Sequence, residues 1–175
     1  MTRDDRKFPF LMGFVDGFLT ALTLAAGRLF DKTSTADLSL AIRVAIASLV
    51  SSGFVFFVAR YSELRRELME AERELSLGHS GMLASTALGK KVRKSAIIDA
   101  SISGVSSFIG AMFPLVFAAF DPFLPWLTLT FSMLILAIFG FFLGKSVGKQ
   151  PLIWVAALML GGAFVIWVGI ILHLT

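Results

Sequence analysis

The chain contains no cysteine and only two histidines in 175 residues. Disulfides and thiolate metal sites are therefore excluded. His79 reads as a loop residue and His173 lies at the far end of the last hydrophobic run, too far apart to share a metal. No glycine-rich phosphate loop, His-Glu-x-x-His pattern or nucleophile–base pair is present, so nothing in the sequence points to an enzyme. Charge is also scarce, at 16% of residues. No stretch remains that could form a soluble domain of any size.

Apolar residues fill the space instead. They make up 57% of the chain, and the mean hydropathy is +0.83. The excess is concentrated in five runs of membrane-spanning length: Phe8–Gly27, Leu38–Ala59, Ala96–Phe120, Phe123–Leu143 and Leu152–Leu172. About 20 apolar residues cross a bilayer core as a helix. The first run lacks a small-residue cleavage site and reads as a span, not a removable signal. The fold expected is an all-α integral membrane protein with five transmembrane helices. A pI of 9.8 invites a nucleic-acid reading, but the basic residues sit beside the hydrophobic runs, where they set topology.

The charge asymmetry is consistent from one connection to the next. Arg3, Arg6 and Lys7 precede span one, and segment 60–94 carries Arg60, Arg65, Arg66, Arg73, Lys90, Lys91, Arg93 and Lys94. Lys145 and Lys149 lie between spans four and five. The opposite side has only Arg28 and Lys32. Positive-inside counting places the N-terminus in the cytosol and the C-terminus outside. The chain divides into 1–59 (spans one and two), a cytosolic Glu/Arg-rich segment 60–94, and 95–175 (spans three to five). Span two continues without Gly or Pro to Gly78, which predicts a cytosolic amphipathic helix over Arg60–Leu77 with Leu64, Leu68, Ala71 and Leu75 as its apolar stripe. Gly78-His79-Ser80-Gly81 breaks it, and a weaker helical piece over Met82–Leu88 leads to the Lys90–Lys94 cluster. The absence of a targeting extension fits a prokaryotic cytoplasmic membrane, with a vacuole-like membrane as the alternative.

Asp16 lies in the middle of span one. A carboxylate at that depth costs about 2.5–3.5 kcal/mol on insertion scales, so it needs a partner, a proton or a cation. Gly13, Asp16, Thr20, Thr23 and Gly27 recur at steps of three and four, which gives one polar, small-residue stripe. Gly13, Gly17 and Ala21 form a small-xxx-small series that permits close helix approach. A hydroxyl-lined stripe with one carboxylate suits a hard cation; a protonated or salt-bridged structural Asp is the plainer alternative. Arg43, about 7 Å inside span two at 1.5 Å per residue, is expected to snorkel outward or meet Asp31 or Asp37. Its rival partner is Asp16.

Glu63, Glu67, Glu70 and Glu74 share one face of the cytosolic helix, and Glu72 lies off it. These like charges at helical spacing repel, and a divalent cation would relieve the repulsion. From spacing alone a solvated helix with Arg60, Arg66 and Arg73 interleaved is favoured. A second chain bringing its own Glu face would favour metal. Asp99 is expected within a turn of the cytosolic end of span three, as a first-turn acid favoured by the helix dipole or as a candidate mouth ligand. Asp99, Ser103, Ser106, Gly110 and Pro114 follow one face, and with Ser101 and Ser107 they predict a span buried between helices. Met12, Met112, Met133 and Met159 read as packing residues; Met69 and Met82 are the better candidates for soft ligands. Gly140, Gly144 and Gly148 suggest close packing at the end of span four.

Taken in order, these residues resemble the vacuolar iron transporter family. Asp16-Gly17 followed by Leu24-Ala25-Ala26-Gly27 is similar to the family's Asp-Gly…Leu-Val-Ala-Gly. Span two running into a Glu/Arg-rich helix is a second likeness. Ile109-Gly110-Ala111-Met112-Phe113-Pro114-Leu115 is similar to Gly-Ala-Leu-Ile-Pro-Leu. Gly140…Gly144-Lys145 and the Gly161-Gly162 pair complete the pattern. The resemblance implies a homodimer that exchanges Fe²⁺ or Mn²⁺ for protons out of the cytosol. Asp16 would line a path between subunits, and Glu63, Glu67, Glu70 and Glu74 would gather metal at its mouth. No organic cofactor and no nucleic acid is implied. Two features depart from the family. Ser51-Ser52-Gly53-Phe54-Val55-Phe56-Phe57-Val58 lacks the Met and Glu usual in span two, and the cytosolic segment is short for a three-helix metal-gathering domain. The function expected is a divalent-cation transporter, with Thr20 and Thr23 assisting Asp16. The alternative is a non-transporting scaffold or metal sensor.

Overall fold

A computed structural model describes residues 7–29, 38–74, 86–120, 125–147 and 150–172. These form five α-helices, and no strand occurs among the described residues: α1 (Lys7–Leu29), α2 (Leu38–Glu74), α3 (Ala87–Phe120), α4 (Pro125–Val147) and α5 (Pro151–Leu172). All five are long and apolar enough to cross a membrane. Large apolar side chains face outward, with Leu152 78% and Leu160 72% exposed, while Ser103, Ser106 and Ser107 are buried. That inversion of the usual water-soluble pattern fits a lipid surround.

α1 is the hub. It packs against all four other helices, whereas among the described residues α2 meets only α1 and α3. On one side of α1 the core is built from small residues, with Ala21 and Ala25 against Ala41 and Ala45 of α2 and Ala111, Leu115 and Ala118 of α3. On the other side it is aromatic and branched: Phe14, Phe18 and Leu22 pack with Leu129 and Leu136 of α4. Phe14 and Phe139 stack with ring centroids 3.9 Å apart. Membrane helices associate without a hydrophobic drive between them, so close backbone approach through small residues is what holds the first core together.

The glycines of α1 make that approach. A Cβ at Gly13 would overlap the Ser103 carbonyl, and one at Gly17 the Ser107 carbonyl. Gly110 lies against the Phe14 backbone in the same way, and Pro114 is fully buried one turn further along α3. Gly140 and Gly144 seat α4 on Val155 and Pro151 of α5, as the spacing in span four suggests. Gln150 stands in a left-handed conformation, φ 42°, just before Pro151 at the first helical position of α5.

Two helices exceed a membrane's need. At 1.5 Å per residue the 37 residues of α2 span about 55 Å and the 34 residues of α3 about 51 Å, against about 30 Å of hydrocarbon. α2 runs unbroken across the 59/60 boundary drawn from sequence, and α3 runs unbroken across 94/95. α3 begins at Ala87, so the basic cluster Lys90–Lys94 belongs to the spanning helix itself. This corrects the reading of Asp99. It lies twelve residues inside α3, with no acidic residue in the first turn, and the helix dipole cannot account for it. The Gly78–Gly81 break, Leu75, Met82 and both histidines lie outside the described residues.

Candidate functional site

Asp16 is exposed on the outside of the single chain, near the middle of α1. The flanking residues explain why. Gly13 and Gly17 turn toward α3, Phe14 and Phe18 turn toward α4, and Gly169 brings α5 against the Thr23 carbonyl. The uncovered strip of α1 therefore carries Asp16 and Thr20, with Thr23 half-buried at its edge. Gly13 and Gly27 are buried, so the stripe drawn from sequence splits: its glycines pack inward and its oxygen-bearing side chains face out.

The two threonine hydroxyls are held by their own helix. Thr20 Oγ1 donates to the Asp16 carbonyl at 2.9 Å, and Thr23 Oγ1 donates to the Leu19 carbonyl at 2.9 Å. Each hydroxyl proton is spent on the backbone, which leaves oxygen lone pairs as acceptors or cation ligands. Among the described residues no ion pair or hydrogen bond engages the Asp16 carboxylate, and none joins it to Arg43, whose side chain is exposed. Asp31 and Asp37 lie outside the described residues.

A second polar feature runs inside the chain, between α1, α2 and α3. Ser52 and Ser103 hydroxyl oxygens are 3.3 Å apart. Ser107 Oγ lies 3.3 Å from both the carbonyl and the hydroxyl oxygen of Ser48, and Ser106 donates to the Ser103 carbonyl at 2.9 Å. At one end of this seam sits Asp99, whose side chain is 2% exposed and whose Oδ2 is 3.4 Å from Arg60 Nε. Asp99 Oδ1 is buried without a hydrogen-bond partner. The face Asp99–Ser103–Ser106–Gly110–Pro114 is buried as its pattern predicts, while Ser101 is exposed. The α2 half of the seam is not anticipated from the sequence. The signal is there, since Ser48, Ser52 and Arg60 lie on one stripe at multiples of four.

Along 60–74, Leu64, Leu68 and Ala71 are half-buried and Glu63, Glu67, Glu70 and Glu74 are exposed. Two of the four glutamates are occupied: Glu63 by Arg60 at 2.6 Å and Glu70 by Arg66 at 2.8 Å. Glu72, off the acidic stripe, is buried. Among the described residues no three acidic or histidine side chains converge on a point where one chain could hold a metal ion. The candidate groups thus occupy separate places: Asp16 on the outer face of α1, Asp99 inside, and the glutamates along α2. Met112 and Met133 pack against the two cores; Met69 is exposed.

Comparison with family models, curated proteins and solved structures finds no match to this chain.

Proposed function

We propose that the chain is a divalent-cation transporter, carrying Fe²⁺ or Mn²⁺, that works as a homodimer joined across the Asp16 face of α1. The observation that supports this reading most is the Asp16 carboxylate itself. It is mid-helix, exposed and, among the described residues, unengaged by any ion pair or hydrogen bond. Lipid cannot satisfy such a group. A second copy meeting it across a two-fold axis places two carboxylates opposite each other, with Thr20 and Thr23 oxygens flanking them. Like charges so close are unstable unless a cation or protons sit between them. Hard oxygen ligands suit Mn²⁺ and are compatible with Fe²⁺.

In this mechanism segment 60–74 projects into the cytosol, and its glutamates gather metal at the path's mouth. The ion moves to the paired Asp16 carboxylates, and protonation of those carboxylates from the far side releases it. The cycle is then metal out, protons in. The resemblance of the motif order to that of the vacuolar iron transporters supports the same assignment. Asp16→Asn is expected to abolish metal uptake into vesicles while the variant stays folded and dimeric.

A second reading is a membrane scaffold or metal sensor that does not transport. The engagement of Glu63 and Glu70 by arginines on their own helix, and the missing span-two Met and Glu, favour it. Metal binding without flux would select it.

A further inference from the structure

The crossing of α2 and α3 leaves a groove on the outer surface of the bundle. Its floor is glycine and alanine: Gly53 and Gly104 face each other and Ala100 lies beside them. A Cβ at Gly104 would come within 2.9 Å of the Leu49 carbonyl, so the two backbones approach closely and the cleft forms where side chains are missing. Phe57, Ile97 and Val105 stand as its walls. The volume is about 380 Å³, within the roughly 300–1,000 Å³ typical of ligand clefts.

The residues above the groove are cationic. Lys90, Arg93 and Lys94 fall on the same stripe of α3 as Ile97, Ser101 and Gly104, at steps of three and four. All three are exposed, and among the described residues none is engaged by a carboxylate. On α2 the stripe above Phe57 continues as Tyr61, Leu64 and Leu68, which are uncharged. Glu63, on the neighbouring stripe, is taken by Arg60. Tyr61 stacks on Phe57 with centroids 5.8 Å apart, and a tyrosine over an apolar wall is the composition of a membrane–water boundary. From Lys94 to Val105 the helix rises about 16 Å, close to half of a hydrocarbon core of about 30 Å. The groove thus spans one leaflet.

We propose that this groove is a binding site for one anionic phospholipid, with an acyl chain along Gly53 and Gly104 and the phosphate headgroup on Lys90, Arg93 and Lys94. Bulk lipid needs no cations aligned over a cleft of leaflet depth. The inference requires only that the chain sits in a membrane, and it stands whether or not the chain transports metal.

The test is native mass spectrometry of the full chain released from detergent, titrated with phosphatidylglycerol or phosphatidylcholine. Wild type should retain one phosphatidylglycerol per chain in preference to phosphatidylcholine. Each lysine or arginine near a membrane surface contributes about fivefold toward an anionic headgroup, so Arg93→Gln/Lys94→Gln should weaken phosphatidylglycerol about thirtyfold and leave phosphatidylcholine unchanged. Both positions are exposed, so this variant folds. Ser101→Phe, which places a ring in the groove, should remove retention of both lipids. Equal retention of the two lipids by wild type overturns the proposal. So does an unchanged affinity in the Arg93→Gln/Lys94→Gln variant. Loss of oligomer mass in Ser101→Phe would give the groove to a second copy of the chain and overturn it equally.

Discussion

Arg60 Nε lies 3.4 Å from Oδ2 of Asp99, tying α2 to α3 at the end of the buried serine seam. The two partners are unequal. Asp99 is sealed inside, whereas Arg60 is 30% exposed and holds Glu63 as well. Removing Arg60 strands a buried carboxylate. Removing Asp99 leaves a guanidinium that still has a partner. Arg60→Gln should therefore destabilise the protein by about 3–5 kcal/mol, and Asp99→Asn by clearly less. Thermal or denaturant unfolding in detergent checks the order; equal losses would mean that the pair is not the reason for Asp99's burial.

The glycines of α1 offer a sharper contrast. Gly17→Leu puts atoms where the Ser107 backbone already is, and the two helices must separate. Loss of the folded, monodisperse protein in size-exclusion chromatography is the expected result. Gly161→Ala is the control, because nothing lies within 4 Å of its Cβ position. In a helix interior that change should be neutral or stabilising by up to about 1 kcal/mol.

The absence of cysteine makes the proposed dimer easy to probe. Thr20→Cys introduces a lone thiol on the exposed Asp16 face, and Phe164→Cys introduces one on the outer face of α5, where Phe164 is 63% exposed. Under mild oxidation in membranes Thr20→Cys should cross-link two copies and Phe164→Cys should not. The reverse pattern would place the interface elsewhere.

Of the four exposed glutamates of α2, Glu67 and Glu74 have no arginine partner among the described residues and should matter most to metal. Glu67→Gln or Glu74→Gln is expected to weaken Mn²⁺ binding by isothermal titration more than Glu70→Gln, since Arg66 already engages Glu70. Arg66→Gln should strengthen binding by freeing that carboxylate. An unchanged isotherm in all four variants would leave the glutamate stripe a solvated surface.

The five spans are legible from hydropathy because each holds a predominantly apolar stretch of about bilayer length, long enough that a single Asp16, Arg43 or Asp99 does not erase the signal. The small-residue contacts of α1 are legible for a similar reason, as Gly13, Gly17 and Ala21 repeat at a spacing that only close packing uses. The true length of α3 is not. Lys90, Lys91, Arg93 and Lys94 depress hydropathy, yet they are good helix formers, and the helix continues through them from Ala87. Placement of Asp16 on an outer face is hidden too. Periodicity groups Asp16 with Thr20 and Gly13, but which neighbour covers which edge of the stripe is decided by α3 and α5. The Arg60–Asp99 pair joins residues 39 positions apart and depends on the register of α2 against α3, which no local pattern carries.

In the proposed cycle, paired Asp16 carboxylates pass a metal ion in exchange for protons. The most direct measurement is Mn²⁺ and Fe²⁺ flux into proteoliposomes carrying an internal pH dye, for wild type and Asp16→Asn. Metal entry coupled to opposing proton movement, lost in the variant although it remains folded and dimeric, is the predicted result. Equal metal flux in wild type and Asp16→Asn, or no flux in wild type under an imposed proton gradient, would contradict it.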